Sequence, residues 1–268
     1  MNTLKSKIKN LPIPVNFREW KACYKGSRVL VVSCPKSGTN LVTSLLQKLP
    51  LLVPRWQYSI VSGKLDNYSD LKIRKGQYVS SHLFWSKELN QYIIDQNIRL
   101  IFIIRDLRDV AVSRAFYHTY KLQTHPIYHR MNNLKSDAER IKLSIIGTNT
   151  PEMGFPPLSV WAENYFPWIN QDNCLAIRFE ELVGSNGGGS DDLQHQTINK
   201  IIQHLDYEVE ISDLDKIIST VYTRSSKTFR KGIIGDWENH FTDEHKLLFK
   251  QEIGEKLISF GYVKDHNW

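Results

Sequence analysis

The chain has 268 residues, 41% hydrophobic and 11% aromatic, with 35 basic against 28 acidic side chains and a formal charge of +7. Such a length and apolar content support one large α/β domain or two small ones with a sizeable core, and they exclude an intrinsically disordered chain. The basic excess fits an anionic partner (nucleotide, nucleic acid, membrane surface or anionic substrate), or simple solubility, and charge alone does not choose.

The first residues, MNTLKSKIKNLPIP, are basic but lack the apolar segment of a signal peptide. Cys23, Cys34 and Cys174 form no even-numbered framework, which indicates a reducing compartment, and the longest apolar runs are too short to span a bilayer. A cytoplasmic protein that does not enter the membrane is expected. Arg28–Ser33 (RVLVVS) is a buried strand by its length and β-branched content. After the turn Ser33-Cys34-Pro35-Lys36-Ser37-Gly38-Thr39-Asn40, the residues Leu41, Val42, Leu45, Leu46 and Leu49 share one helical face, which Pro50 ends. Strands follow at Gly76–His82 and Arg99–Asp106, then a helix from Asp109. A fourth strand begins at Cys174 and runs into a helix start near Leu182. The glycine-rich stretch 184–192 is a surface loop by composition. The segment 130–157 has weak periodicity; it is either a mobile acceptor-side lid or pocket wall, or an ordinary long connection. A last helix spans roughly Thr242 to Phe260, capped by Thr242 and stopped by Gly261.

Strands alternating with helices predict a single α/β domain, a central mostly parallel sheet with helices on both faces. Ligands bind such sheets at the carboxyl ends of the strands, which places the ends at Ser33, His82, Arg105 and Arg178 near one site.

Three stretches carry phosphate chemistry. In the first turn, backbone N–H groups feeding a helix N-terminus form an anion nest, Gly38 permits close approach, and Ser37, Thr39 and Asn40 add donors. Lys36 adds a mobile point charge. In RDLRDVAVS, Arg105 suits a bidentate phosphate contact, Ser113 lies two turns further on, and Asp109 suits a helix cap. In FRKGIIGDW, Arg230, Lys231 and Gly232 make a basic, pliable loop.

These three motifs, in this order, resemble those of the cytosolic sulfotransferases, which use 3′-phosphoadenosine 5′-phosphosulfate (PAPS) and release the bisphosphate PAP. The resemblance covers about Arg28 to Phe241 and implies the P-loop-like sulfotransferase fold. It implies that Lys36, Ser37, Gly38, Thr39 and Asn40 hold the 5′-phosphosulfate, and that Arg105, Ser113, Arg230, Lys231 and Gly232 hold the 3′-phosphate. It makes His82, in VSSHLFW, the general base, with Lys36 stabilising the leaving phosphate, and it requires no metal. The acceptor is expected to be a small molecule, with Phe84, Trp85, Phe116 and Tyr117 as candidate contacts and no nucleic-acid partner.

The chain departs from that pattern in places. Leu41 stands where the family commonly has a tryptophan that stacks on adenine, and Phe179 where it has a tyrosine. Phe229 is a candidate replacement for the stacking. The family's KxxxTVxxxE dimer segment aligns with Glu238, Thr242, Asp243 and Leu247, so that dimer is expected to be absent. These departures have the look of a bacterial branch acting on secondary metabolites. Trp161 and Trp168, seven apart in SVWAENYFPWI, are best explained as core packing on one helical face. Two rivals stand: a P-loop nucleotide kinase, which leaves Arg105, Ser113 and Arg230 without a task, and a non-catalytic nucleotide- or nucleic-acid-binding module.

Overall fold

The computed structural model describes residues 22–60, 63–207, 211–221 and 231–268. Strands β1 (Arg28–Ser33), β2 (Val53–Ile60), β3 (Gln77–Ser81), β4 (Ile98–Ile104) and β5 (Cys174–Arg178) form one sheet in the order β2-β3-β1-β4-β5. Every pairing is parallel. The helices in chain order are α1 (Thr39–Lys48), α2 (Lys87–Asp95), α3 (Leu107–Tyr120), α4 (Tyr128–Asn133) and α5 (Asp137–Ile146). They continue as α6 (Leu158–Tyr165), α7 (Phe179–Leu182), α8 (Asp191–His204), α9 (Ile211–Val221) and α10 (Asp243–Ser259).

Strand alternation sorts the core onto two faces. Leu30, Val32, Leu100, Phe102 and Ile104 pack against α2, α3, α5, α6 and α10. Val29, Val31, Ile101, Ile103 and Ile177 pack against α1, α7, α8 and α9. Because both faces are covered, Val29–Val32 of β1 and Leu100–Ile104 of β4 are continuous apolar runs, and the expected architecture is the one found.

Strand β2 breaks the apolar-run rule. It is an edge strand that pairs only with β3, its register shifts between Pro54 and Ser59, and an edge is where a strand tolerates proline. The 184–192 loop is shorter and less superficial than composition implied. Ser190 caps α8, which starts at Asp191, and Gly184 and Gly187 are buried. The segment 130–157 carries the end of α4 and all of α5, whose Ile141 and Ile145 join the core beside α3. SVWAENYFPWI is not one helix: α6 stops at Tyr165, before Pro167, and Trp168 lies in the 3₁₀ turn Phe166–Asn170. Trp161 and Trp168 are nonetheless core residues, and Trp168 Nε1 donates to the Leu83 carbonyl at 3.1 Å.

Candidate functional site

The loop between β1 and α1 is shaped by two residues in positive φ, Lys36 at 74° and Gly38 at 108°. Gly38 cannot carry a side chain: a Cβ there would sit 2.8 Å from Phe179 Cδ2 and 3.2 Å from Ile103 Cδ1. The loop therefore lies directly on the ends of β4 and β5. Gly38 opens α1 with no side-chain cap, and the first turn of α1 holds no acidic residue, so its N–H groups favour an anion. Ser37 is buried, and its Oγ has no hydrogen-bonding oxygen or nitrogen partner among the described residues. That is the kind of polar atom a bound phosphate satisfies.

His82 follows β3 and reaches across to β1. Its Nδ1 lies 2.9 Å from the Ser33 carbonyl and 3.2 Å from Ser33 Oγ, which in turn bonds Thr39 Oγ1 at 2.6 Å. A carbonyl only accepts, so the hydrogen bond assigns the ring proton to Nδ1 and leaves the lone pair on Nε2. Burial holds the imidazole pKa below its ordinary value, the Ser33 bond opposes this, and the nearby Lys36 charge adds to it. The ring is thus a neutral base at pH 7. Its backbone is fixed from both sides: the His82 N–H donates to the Ile60 carbonyl at 2.9 Å, and the Tyr165 hydroxyl donates to the His82 carbonyl at 3.0 Å.

A cavity of about 380 Å³ gathers all three phosphate-type motifs, since Lys36, Ser113 and Lys231 line it together with Phe116, Tyr117, Tyr120, Lys121, Asp137 and His240. The Lys36 ammonium sits 3.8 Å from the centre of the Tyr117 ring. Lys231 Nζ lies 2.9 Å from Asp236 Oδ1. Gly232 has φ of 62°, a value suited to glycine. Arg230 and Phe229 lie outside the described residues.

Arg105 directly follows β4. Its guanidinium is buried, stacks 4.3 Å from the Phe179 ring, and donates through Nη2 to the Ile233 carbonyl at 2.8 Å and to Asp109 at 3.3 Å. Its Nε has no partner among the described residues. Of the four strand ends expected at one site, those of Ser33 and His82 meet in hydrogen bonds, and Arg105 reaches the Gly38 loop through Phe179, but none of the three lines the cavity. Arg178 does not join them, because its guanidinium is taken by the Phe260 carbonyl and lies 4.6 Å from the Tyr262 ring.

Asp109 is not a helix cap. Asp106 takes that role by accepting from the Arg108 N–H at 2.9 Å. Asp109, with no exposed surface, accepts from the backbone N–H of Gly235 and of Trp237, each at 3.0 Å, and from Arg105. It ties the second motif to the third, a long-range role that no local pattern announces. Gly187 supports the same junction: its carbonyl accepts from Ile234 N at 3.0 Å, and a Cβ on it would meet the Gly232 carbonyl at 2.7 Å.

Arg114 is another residue that sequence reading passed over. Fully buried, it donates to the carbonyls of Ser144 at 3.0 Å and Pro156 at 2.8 Å and stacks on Phe155 and Trp161, fastening the 144–157 stretch to α3. Burial brings its pKa down to about 9. Among the candidate acceptor contacts, Phe116 and Tyr117 line the cavity. Phe84 instead packs edge-on against Tyr165 with centroids 5.0 Å apart, and the buried indole Nε1 of Trp85 has no partner among the described residues. Leu41 packs on the α1 side of the sheet, and Phe179 is spent on Gly38 and Arg105.

Residues 26–261 match the sulfotransferase domain family. Mouse sulfotransferase 2A6 is 24% identical over 275 residues, covering 90% of this chain and 87% of that protein. Human sulfotransferase 2A1 is 26% identical over 259 residues, covering 85% and 84%. Among solved structures, mouse sulfotransferase SULT7A1 complexed with PAP superposes with a TM-score of 0.61 at 20% identity, covering 91% of this chain and 90% of that one. Retinol dehydratase in complex with androsterone and inactive cofactor PAP gives 0.57 at 15% identity, covering 95% and 84%. No helix among the described residues is long and apolar enough to cross a membrane.

Proposed function

The chain belongs to the sulfotransferase domain family, and on that premise we propose that it transfers the sulfuryl group of PAPS to a hydroxyl, or an amine, of a small organic acceptor. The observation that carries this reading is one cavity lined by Lys36, Ser113 and Lys231, three cavity-facing groups from chain-distant motifs. The fit to a nucleotide rests on the buried Ser37 Oγ and Arg105 Nε, neither with an oxygen or nitrogen partner among the described residues, and on a loop pressed so closely onto Phe179 that only Gly38 fits.

Bound PAPS supplies the sulfuryl group and leaves as PAP. The loop N–H groups and Ser37 to Asn40 hold its 5′ end. Ser113, Lys231, Gly232 and Arg230 hold the 3′-phosphate, with Arg105 beneath them. His82 takes the acceptor proton on Nε2, because the Ser33 carbonyl occupies Nδ1–H. Lys36 stabilises the negative charge that grows on the departing phosphate oxygen, a contact of a type worth about 3–4 kcal/mol, or roughly 10²–10³ in rate. To deliver that charge, the ammonium leaves the Tyr117 ring, a contact of a type worth about 0.5–2 kcal/mol. The mechanism invokes no metal. Phe116 and Tyr117 give the acceptor an apolar flank.

The test is acceptor-dependent transfer of labelled sulfuryl from PAPS across a panel of phenols, alcohols and amines in metal-free buffer. Transfer to one acceptor class supports the reading. Failure of all classes, with ATP consumed instead, favours the kinase alternative.

A further inference from the structure

The opposite ends of the strands carry a second cavity, of about 390 Å³, lined by Cys23, Arg28, Leu71, Lys72, Ile73, Arg74, Lys75, Tyr92, Gln96 and Ile98. Arg28 opens β1, Ile98 opens β4, and the two are register partners. Ser33, at the catalytic end, lies five residues along β1 from Arg28, roughly 17 Å at the usual strand rise. The cavity therefore belongs to neither the nucleotide crevice nor the acceptor flank.

Its make-up is two-toned. Leu71, Ile73 and Ile98 form an apolar floor, with the Tyr92 ring at one side. Arg28, Lys72, Arg74 and Lys75 are the charged groups of the wall, and no carboxylate among the described residues lines it. None of these four cations makes an ion pair among the described residues. Asp95, at the end of the neighbouring α2, accepts from Gln91 at 2.9 Å, along its own helix. Arg28 is half-buried and Lys72, Arg74 and Lys75 are exposed, and four positive charges lining one concavity favour an anion there. The apolar floor adds a demand that a bare inorganic ion does not meet. The volume lies within the range of small-ligand sites.

We propose that this cavity binds a small organic anion with an apolar body, its acid group (carboxylate, sulfate or phosphate ester) held by Arg28, Lys72, Arg74 and Lys75 and its body laid on Leu71, Ile73 and Ile98. The proposal is independent of the sulfotransferase reading. None of its residues belongs to the catalytic end.

Cys23 provides a reporter in the wall. The other two thiols, those of Cys34 and Cys174, have pKa values pushed up to about 12 by burial and are poor nucleophiles. The full chain, with PAP added to block the nucleotide crevice, is titrated with the aryl sulfonate 8-anilinonaphthalene-1-sulfonate and then with decanoate or 1-decanol. Iodoacetamide labelling of Cys23 is followed by mass spectrometry in the same samples. Decanoate is expected to displace the dye, decanol to do so far more weakly, and dye or decanoate to slow Cys23 labelling several-fold. In the double variant Lys72→Glu, Lys75→Glu, dye affinity should fall at least about tenfold while PAP affinity stays unchanged. Equal displacement by decanol, unprotected Cys23, or an unaltered affinity in the charge-reversed variant would overturn the assignment.

Discussion

Replacing Asp109 by asparagine probes the junction on which the nucleotide crevice is built. One carboxylate oxygen accepts from Trp237 N and the other from both Gly235 N and Arg105 Nη2. Asparagine has one accepting oxygen, so either orientation sets its NH₂ against a backbone donor and removes the counter-charge of a buried guanidinium. A charge-assisted hydrogen bond contributes about 1.5–3 kcal/mol, and unpairing a buried charge costs about 3–5 kcal/mol. Burial already pushes the Asp109 pKa up, so the ionised group is held at some cost and the lower half of that range applies. The expected loss is about 3–4 kcal/mol, which for a chain of this size lowers Tm by roughly 6–16 °C. Urea and thermal unfolding at pH 7 measure the loss, and calorimetry measures PAP affinity, which should fall at least about tenfold as the 232–237 stretch loses its mooring. A variant within about 1 kcal/mol of the parent, binding PAP unchanged, would refute the idea that Asp109 holds the two motifs together.

His82→Ala should abolish sulfuryl transfer and leave PAP affinity nearly intact; retained turnover would remove His82 from the role of base. Since the His82 pKa is lowered, the imidazole stays neutral to lower pH than a free one, so the acid limb of kcat/KM should fall below the ordinary histidine value of 6.5. A limb above that value would contradict the burial of a neutral imidazole beside Lys36. Lys36→Met should lower kcat roughly 10²–10³-fold with a smaller change in donor KM, and equal changes in both would make the lysine a binding group only. Burial raises the Glu180 carboxyl to about 6 from 4.5, even though it accepts from Asp106 N at 2.9 Å. A carboxyl raised in the folded state contributes stability that is full below about 4.5 and lost as pH rises through about 6, and Glu180→Gln should flatten unfolding free energy across that window. An unchanged slope in the variant would show that Glu180 does not titrate there.

Much of this architecture was legible because Val29–Val32 and Leu100–Ile104 are unbroken apolar runs and Gly38 marks a turn no other residue can make. Lys36 and Lys231 stand out in sequence because each sits close to a glycine in a short polar loop, whereas Arg105 and Ser113 are eight residues apart. Asp109 was misassigned because its partners lie at Gly235 and Trp237, and locally a carboxylate beside a helix start looks like a cap. Strand β2 was missed because an edge strand interrupted at Pro54 has neither alternation nor an apolar run. Arg114 was passed over because nothing near it in sequence indicates that an arginine is fully buried; the carbonyls of Ser144 and Pro156 make that possible. His82, Phe84 and Trp85 share a short stretch, and none of the three lines the cavity that takes Phe116 and Tyr117.

Central to all of this is a crevice suited to a nucleotide phosphorylated at both the 3′ and 5′ positions. Thermal stability followed during separate titrations of PAP and ADP, without metal, tests that assignment most directly. PAP is expected to raise Tm far more than ADP at equal concentration, and Lys231→Ala to remove most of the difference. Equal stabilisation by the two nucleotides would contradict it.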